Sequence, residues 1–201
     1  MAVIGILGGT FNPIHYAHLA MAESAYEQAN LDVVWFMPSK NPPHKQGMKI
    51  LDESMRSDMI KLAIKGKPHF VYSDFELQRE RITYTADTLL LLKEKYPEDT
   101  FYFILGGDSL FQFENWYCPD KIMERASLLA ISRDGTSQEK MLEKKAQLER
   151  KYGGSIKIIA MPQMDISSSC IRKAVVQGKD ISNYVPKEVE DYIKENHCYG
   201  I

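Results

Sequence analysis

Two short segments hold the residues whose types and spacing can do chemistry. The first is Gly8-Gly9-Thr10-Phe11-Asn12-Pro13-Ile14-His15-Tyr16-Ala17-His18, directly after an apolar run. Two glycines at a strand end let a backbone approach a phosphate closely, with its N–H groups outward. A tight turn would use the same pair. His15 and His18 sit three apart where a helix begins, so they share one face. Such a pair can be buried or capping, can ligate a metal, or can donate hydrogen bonds to phosphoryl oxygens beside a helix N-terminus. The metal reading needs a third ligand and usually an i, i+4 pair with a glutamate, and none is nearby. Taken with the glycines and the strand before them, phosphate contact leads. The segment is neither a Walker loop nor a GxGxxG fingerprint, because the lysine of the one and the third glycine of the other are missing.

The second segment is Asp165-Ile166-Ser167-Ser168-Ser169-Cys170-Ile171-Arg172. Serines at a helix start commonly cap it. Capping takes one hydroxyl, however, and three are present. Helix-terminal N–H groups, hydroxyls and an arginine at one helix end form a strong anion site. If the two segments meet at the carboxyl edge of one sheet, a single phosphate chain can span both.

The elements that position these segments follow from hydrophobic periodicity. Strands are expected at residues 2–7, 33–37, 70–72, 101–105, 127–132 and 156–161. Helices are expected at 15–30, after an N-cap at Asp52, and at 85–95, 167–177 and 186–196. Residues 39–50, with Pro42, Pro43 and Gly47, read as a loop. Residues 137–151 mix Glu, Lys and Gln and read as a solvated helix face. Strand–helix alternation implies an α/β fold, a doubly wound, mostly parallel sheet with helices on both faces, in a single domain over 1–201. Such sheets bind ligands beyond the carboxyl ends of their strands.

Composition excludes several classes. The 201 residues carry 25 Lys+Arg against 27 Asp+Glu, a net charge of −2, which argues against a general nucleic-acid coat. A local basic pocket for a small phosphorylated ligand is still allowed. At 44% hydrophobic and 26% charged, the chain is neither disordered nor fibrous. Cys118, Cys170 and Cys198 are odd in number and form no CxxC pair, so neither a disulfide framework nor a zinc knuckle is expected. A reducing cytoplasm is the natural compartment. Residues 1–7 lack a basic leader region and read as a first strand rather than a signal peptide. No apolar run reaches the ~20 residues of a membrane span.

The two segments together carry a resemblance. Residues 8–18 resemble the GGTFNPxHxGH signature of bacterial nicotinate-nucleotide adenylyltransferases, members of the HxGH nucleotidyltransferase superfamily. Ala17 stands where the family has glycine, a small-for-small change. Residues 166–172 resemble the superfamily's ISSTxIR, with Ser169 keeping the hydroxyl of the threonine. Pro42-Pro43-His44-Lys45 resembles the family's PPHK loop, and Thr83-Tyr84-Thr85-Ala86-Asp87-Thr88-Leu89 its (S/T)YTxDTL stretch. Gly106-Gly107-Asp108-Ser109-Leu110 resembles its GxDSL, and Trp116 follows as in the family. Ile131-Ser132-Arg133-Asp134-Gly135 resembles its VxRPG, with Asp134 for proline; Val185-Pro186, Val189, Tyr192 and Ile193 match its ending. The likeness covers nearly the whole chain and implies a Rossmann-like nucleotidyltransferase fold.

The resemblance implies that ATP and nicotinate mononucleotide are joined into nicotinate adenine dinucleotide, with release of pyrophosphate. The attacking phosphate is already an anion, so neither a side-chain base nor a Ser or Cys nucleophile is required, and Cys170 reads as a packing residue. His15, His18 and Arg172 are the expected catalytic residues. ATP would be bound by Gly8, Gly9, Thr10, Phe11, Gly106, Asp108, Ser132, Arg133, Ile166, Ser168 and Ser169. Nicotinate mononucleotide would be bound by Asn12, Lys45, Thr85, Trp116 and Tyr117, with Trp116 stacked on the pyridine and the N–H groups of Thr85 and Tyr117 on its carboxylate. Lys40 is a second candidate beside Lys45. No protein metal site is expected; Mg2+ would ride on the ATP phosphates. A homo-oligomer is possible, and neither nucleic acid nor membrane is an expected partner. The rival readings are another adenylyltransferase of the superfamily with a nicotinamide mononucleotide or phosphopantetheine acceptor, a non-catalytic nucleotide sensor, and a metal-dependent hydrolase. The last is disfavoured because no carboxylate–histidine cluster is visible.

Overall fold

Alternating Ile, Val, Leu and Phe residues build a sheet that is buried on both faces. The computed structural model describes residues 1–40, 50–79, 84–133 and 138–200, with every side chain among them except that of Arg133. Six strands among these residues pair in the order β3-β2-β1-β4-β5-β6, and every pairing is parallel. They are β1 (Val3–Gly9), β2 (Val33–Pro38), β3 (Phe70–Tyr72), β4 (Thr100–Gly106), β5 (Ser127–Arg133) and β6 (Ile156–Met161). The expected doubly wound sheet is present, and it is wholly rather than mostly parallel. Its order reverses between β1 and β4, the kind of switch point where such sheets open a crevice.

Strand periodicity assigns each side chain to a face. Ile4, Ile6, Phe101, Phe103, Leu128 and Ala130 enter one core. Leu7, Val34, Ile104, Leu129 and Ile131 enter the other. The first core is covered by α3 (Thr85–Lys95), α4 (Gly107–Phe111), α5 (Pro119–Arg125) and α6 (Gln138–Tyr152), through Leu89, Leu110, Ile122 and Leu148. The second is covered by α1 (Tyr16–Ala29), α2 (Glu53–Ala63), α7 (Ser168–Val176) and α8 (Lys187–Glu195), through Ala22, Ile60, Ile171 and Ile193. Both sheet faces are covered, as parallel sheets require.

Helix ends follow local chemistry. α1 closes on Asn30 in the left-handed region, φ 50°, a conformation asparagine tolerates. α7 opens on Ser167, whose Oγ accepts the Cys170 N–H at 3.2 Å. Asp52 does occupy the N-cap position of α2, yet its side chain makes no capping bond. Two expectations need correction. Cys170 is exposed on α7 rather than packed. α6 is not simply a solvated face: Met141 and Leu148 are buried, and the Lys144 side chain is only 12% exposed. Among the described residues no helix is long and apolar enough to cross a membrane.

Candidate active site

The carboxyl edge of the sheet gathers the candidate residues. Gly8 and Gly9 end β1, Gly106 ends β4, Ser132 and Arg133 end β5, and residues 162–167 follow β6. Neither Gly8 nor Gly9 has a positive φ; the left-handed residue of this loop is Phe11, at φ 47°. A tight turn is therefore not what the glycines are for. Their use is the missing side chain: a Cβ on Gly9 would sit 3.2 Å from the Phe11 ring, and one on Gly8 would sit 3.3 Å from Phe103. The Phe11 ring is buried against Gly9 and lies 5.0 Å from His18 and 6.0 Å from Phe36. The Asn12–Pro13 peptide bond is cis.

His15 is the N-cap of α1, and His18 lies one turn in. Their rings stack with centroids 3.7 Å apart, and the His15 N–H donates to His18 Nδ1 at 3.3 Å. That bond fixes the neutral tautomer of His18, because a nitrogen that accepts carries no proton. The proton is then on Nε2, which becomes a donor. The capping and ligand-binding readings of this histidine are thus compatible, each using a different ring nitrogen. His15 is buried and His18 half-buried.

The second segment is tied directly to the first. Arg172 Nη1 donates to the Asn12 carbonyl at 2.8 Å, and Ser168 Oγ donates to the Pro13 carbonyl at 2.9 Å. The two candidate segments, some 155 to 160 positions apart in sequence, therefore meet. The three serines divide their work. Ser167 caps the helix, Ser169 Oγ lies 3.0 Å from Ser167 Oγ, and Ser168 holds Pro13. A hydroxyl has one proton, and that of Ser168 is committed. Its backbone N–H, as the first of α7, has no acceptor within the helix. Ile166 is half-buried and packs against the core below.

A second cluster lies over the other face of the sheet. Thr85 is the first residue of α3, so its N–H also lacks an intrahelical acceptor. The preceding Tyr84 ring sits 4.6 Å from that of Tyr117. Trp116 is half-buried, 5.5 Å from Phe113 and edge-on to Phe103 at 5.9 Å. Phe103 therefore connects Gly8 on one side to Trp116 on the other. Asp108 is exposed in the first turn of α4. Ser132 is half-buried and pairs in register with Ala160. A Cβ on Gly106 would meet nothing within 4 Å, so the protein's own packing leaves open space there. Among the described residues no group of three or more His, Cys, Asp or Glu could hold a metal ion.

Comparison with known proteins fits this geometry. A family model described as cytidylyltransferase-like matches residues 6–174. A probable nicotinate-nucleotide adenylyltransferase of Lachnoclostridium phytofermentans is 46% identical over 199 residues, 99% of this chain and 100% of the relative. A second, from Carboxydothermus hydrogenoformans, is 40% identical over 98% of both chains. The chain belongs to the nicotinate-nucleotide adenylyltransferase family. The fold agrees: Plasmodium falciparum nicotinic acid mononucleotide adenylyltransferase complexed with NaAD superposes with a TM-score of 0.82, at 24% identity over 99% of this chain and 98% of that one. A putative nicotinate-nucleotide adenylyltransferase from Vibrio parahaemolyticus gives 0.71 at 25% identity, over 99% and 96%.

Within this adenylyltransferase family framework, some expected positions lie outside the described residues: Lys45 with the rest of the PPHK loop, Thr83, Asp134, Gly135 and the side chain of Arg133. Lys40 is described, and its Nζ donates to the Leu77 carbonyl at 3.0 Å. Asn12 is buried, and its Oδ1 accepts from the Leu51 N–H and the Tyr199 hydroxyl at 3.3 and 3.1 Å. That oxygen faces the loop's own supports.

Sequence reasoning missed three further groups: Arg56 beneath the first loop, Tyr199 beside it, and a charge clamp on Glu114, two residues before Trp116. In the clamp Glu114 accepts from Lys144, from Lys151 at 2.7 Å and from Gln147 at 3.3 Å, all on α6. Hydrogen bonds from Lys144 and then Lys151 hold the Glu114 carboxyl at about 2. A depressed carboxyl pKa favours the folded form above the usual carboxylate range, and that support is lost as pH falls through about 2. The clamp is thus intact across the working pH range. Glu114→Gln should raise KM for the mononucleotide several-fold with kcat little changed. Its melting temperature should move little, since the substitution is nearly isosteric and the amide keeps an oxygen to accept from the lysines. Steady-state kinetics and a thermal melt check both; an unchanged KM removes the clamp from the positioning of Trp116.

Proposed function

We propose that this chain transfers the adenylyl group of ATP to nicotinate mononucleotide, giving nicotinate adenine dinucleotide and pyrophosphate. The observation that carries this reading is the tie between the two motif segments, Arg172 to Asn12 and Ser168 to Pro13. It draws a histidine pair and a helix N-terminus to one anion-binding edge, with an aromatic cluster across Phe103. The mononucleotide phosphate attacks the α-phosphorus of ATP in line, and the bond to the β,γ-pyrophosphate breaks. Catalysis is then alignment and charge neutralisation.

In this reading the roles follow the two sides of the sheet edge. Gly8, Gly9 and Thr10 present backbone to the reacting phosphates, and Phe11 shapes the loop. His15 and His18 donate to the ATP phosphates, Nε2 of His18 to the bridging oxygen as charge grows there. Arg172, with the α7 N-terminus at Ser168 and Ser169, holds the departing pyrophosphate. Adenosine passes over the open space at Gly106, with Asp108 at its ribose and Ser132 and Arg133 near the adenine. Ile166 lines the same path. Trp116 stacks on the pyridine, and the N–H groups of Thr85 and Tyr117 take its carboxylate. Asn12 shapes the mononucleotide side, and Lys45 approaches the phosphates. Mg2+ enters as part of the ATP substrate. Residues 1–201 act as one nucleotidyltransferase domain in the cytoplasm, in keeping with three unpaired cysteines.

The test is pyrophosphate release from ATP and Mg2+ with nicotinate mononucleotide, nicotinamide mononucleotide and phosphopantetheine supplied separately. Release is expected with the acid. The amide brings its own N–H donor to a pair of N–H donors, leaving groups that the bound ligand covers unpaired at about 1–3 kcal/mol. Its kcat/KM should therefore be lower by roughly 10–100-fold. No release with any acceptor refutes the transferase reading, whereas equal rates for acid and amide refute only the specificity.

A further inference from the structure

The first loop is held by two side chains that the reaction itself does not require. Arg56, on α2, is 1% exposed. Its Nε donates to the Leu51 carbonyl at 3.1 Å and its Nη1 to the Thr10 carbonyl at 2.8 Å. A buried guanidinium is unfavourable unless its donors are met. Here Nε and Nη1 each donate to a backbone carbonyl, in two separate loops, so the charge is bound into the loop geometry itself. Burial lowers its pKa, with Glu53 opposing the shift.

Tyr199 reaches the same loop from the other end of the sequence. Its hydroxyl donates to Asn12 Oδ1 across 187 positions. Burial raises the phenol's pKa, so the hydroxyl keeps the proton it donates. Tyr199 has φ 67°, two residues after His197 at φ 47°. Left-handed backbone is unfavourable for residues with a Cβ and is retained where the surroundings over-determine it.

Leu51 closes the circuit. Its N–H is on Asn12 and its carbonyl on Arg56, which in turn holds Thr10. Asn12 presents its own carbonyl to Arg172 and precedes His15 by three residues. A shift of Asn12 therefore displaces Arg172 and the histidine pair together.

We infer that Arg56 and Tyr199 are positioning residues for the reaction: jointly they fix the backbone of residues 10–12 so that Arg172, His15 and His18 face the reacting phosphates. This rests on the adenylyl-transfer reading for what the loop binds, but the seat itself can be examined without turnover. Tyr199→Phe removes only the hydroxyl. Arg56→Lys keeps the charge but loses the fork that reaches two carbonyls.

Two measurements decide. In Tyr199→Phe, exchange of the Leu51 amide, followed by NMR, should be at least about five-fold faster than in the parent, with the amides of α8 unchanged. Pyrophosphate release, assayed well below each melting temperature, should show kcat down about ten-fold in Tyr199→Phe and about a hundred-fold in Arg56→Lys. KM values should stay within about three-fold. A lowered melting temperature with kcat and Leu51 exchange both at parental values means a merely structural role and overturns the inference. Should Arg56→Lys fail to fold, Tyr199→Phe alone decides. Parental exchange at Leu51 overturns the seat even if the parent releases no pyrophosphate; that second result by itself refutes only the transferase reading.

Discussion

His18→Ala should lower kcat by roughly 10²–10³-fold, the usual loss when one preorganised donor to a transition-state oxygen is removed. The melting temperature should fall by only about 2–4 °C. The argument for a large catalytic and small structural effect comes from the two ring nitrogens. Nδ1 accepts the His15 N–H at 3.3 Å, a long bond at a half-buried helix start. Its loss costs about 1 kcal/mol, which in a domain of this size moves the melting point by a few degrees. Nε2 is left as a donor on a half-buried ring at the sheet edge, and its loss is felt where charge develops. His15→Ala is a poorer probe, because His15 is 5% exposed and stacked under His18, so truncation also opens a void. Kinetics with varied ATP, together with a thermal melt, check the prediction. A parental kcat in His18→Ala removes the ring from the mechanism, whatever the melt shows.

Much of the scaffold was legible because its physics is local. β3 at 70–72, α3 at 85–95 and β6 at 156–161 fall where periodicity and Pro97 put them. α4, the 3₁₀ turn Phe113–Asn115 and α5 were not anticipated, because each is two turns or fewer and a helical period needs a longer window. At the site, residue types singled out the two segments that the structure brings together, but not how they share the work. Ser168 and Ser169 read as anion contacts beside a capping serine, whereas the Ser168 hydroxyl is spent on Pro13 and Ser169 Oγ lies 3.0 Å from the capping Ser167. Arg56 was invisible: an arginine among Glu53, Ser54, Ser57 and Asp58 reads as surface, and only tertiary contact shows it 1% exposed. Lys144 was hidden likewise, since a mixed-charge helix gives no sign that one of its lysines faces Glu114. Tyr199 carries no local signal at all, because its partner lies 187 positions away.

Arg172→Lys should be nearly as damaging as Arg172→Ala, and this separates geometry from charge. In the structure one guanidinium nitrogen already serves the Asn12 carbonyl at 2.8 Å. The remaining N–H groups of the planar fork are what a pyrophosphate can use at the same moment, so one side chain fixes the loop and neutralises the leaving group. Lysine is a point charge on a flexible stem. It can satisfy the carbonyl or the phosphate, and holding both with one ammonium forfeits the alignment of each. Arg172→Ala should therefore lower kcat/KM for ATP by roughly 10²–10³-fold, and Arg172→Lys should recover less than about ten-fold of that loss. Product inhibition supplies an independent measure, since weaker holding of the leaving group means a higher inhibition constant for pyrophosphate in both variants. If lysine restores parental kinetics and parental pyrophosphate inhibition, positive charge alone suffices at this position, and the fork that joins the two motif segments has no part in the reaction.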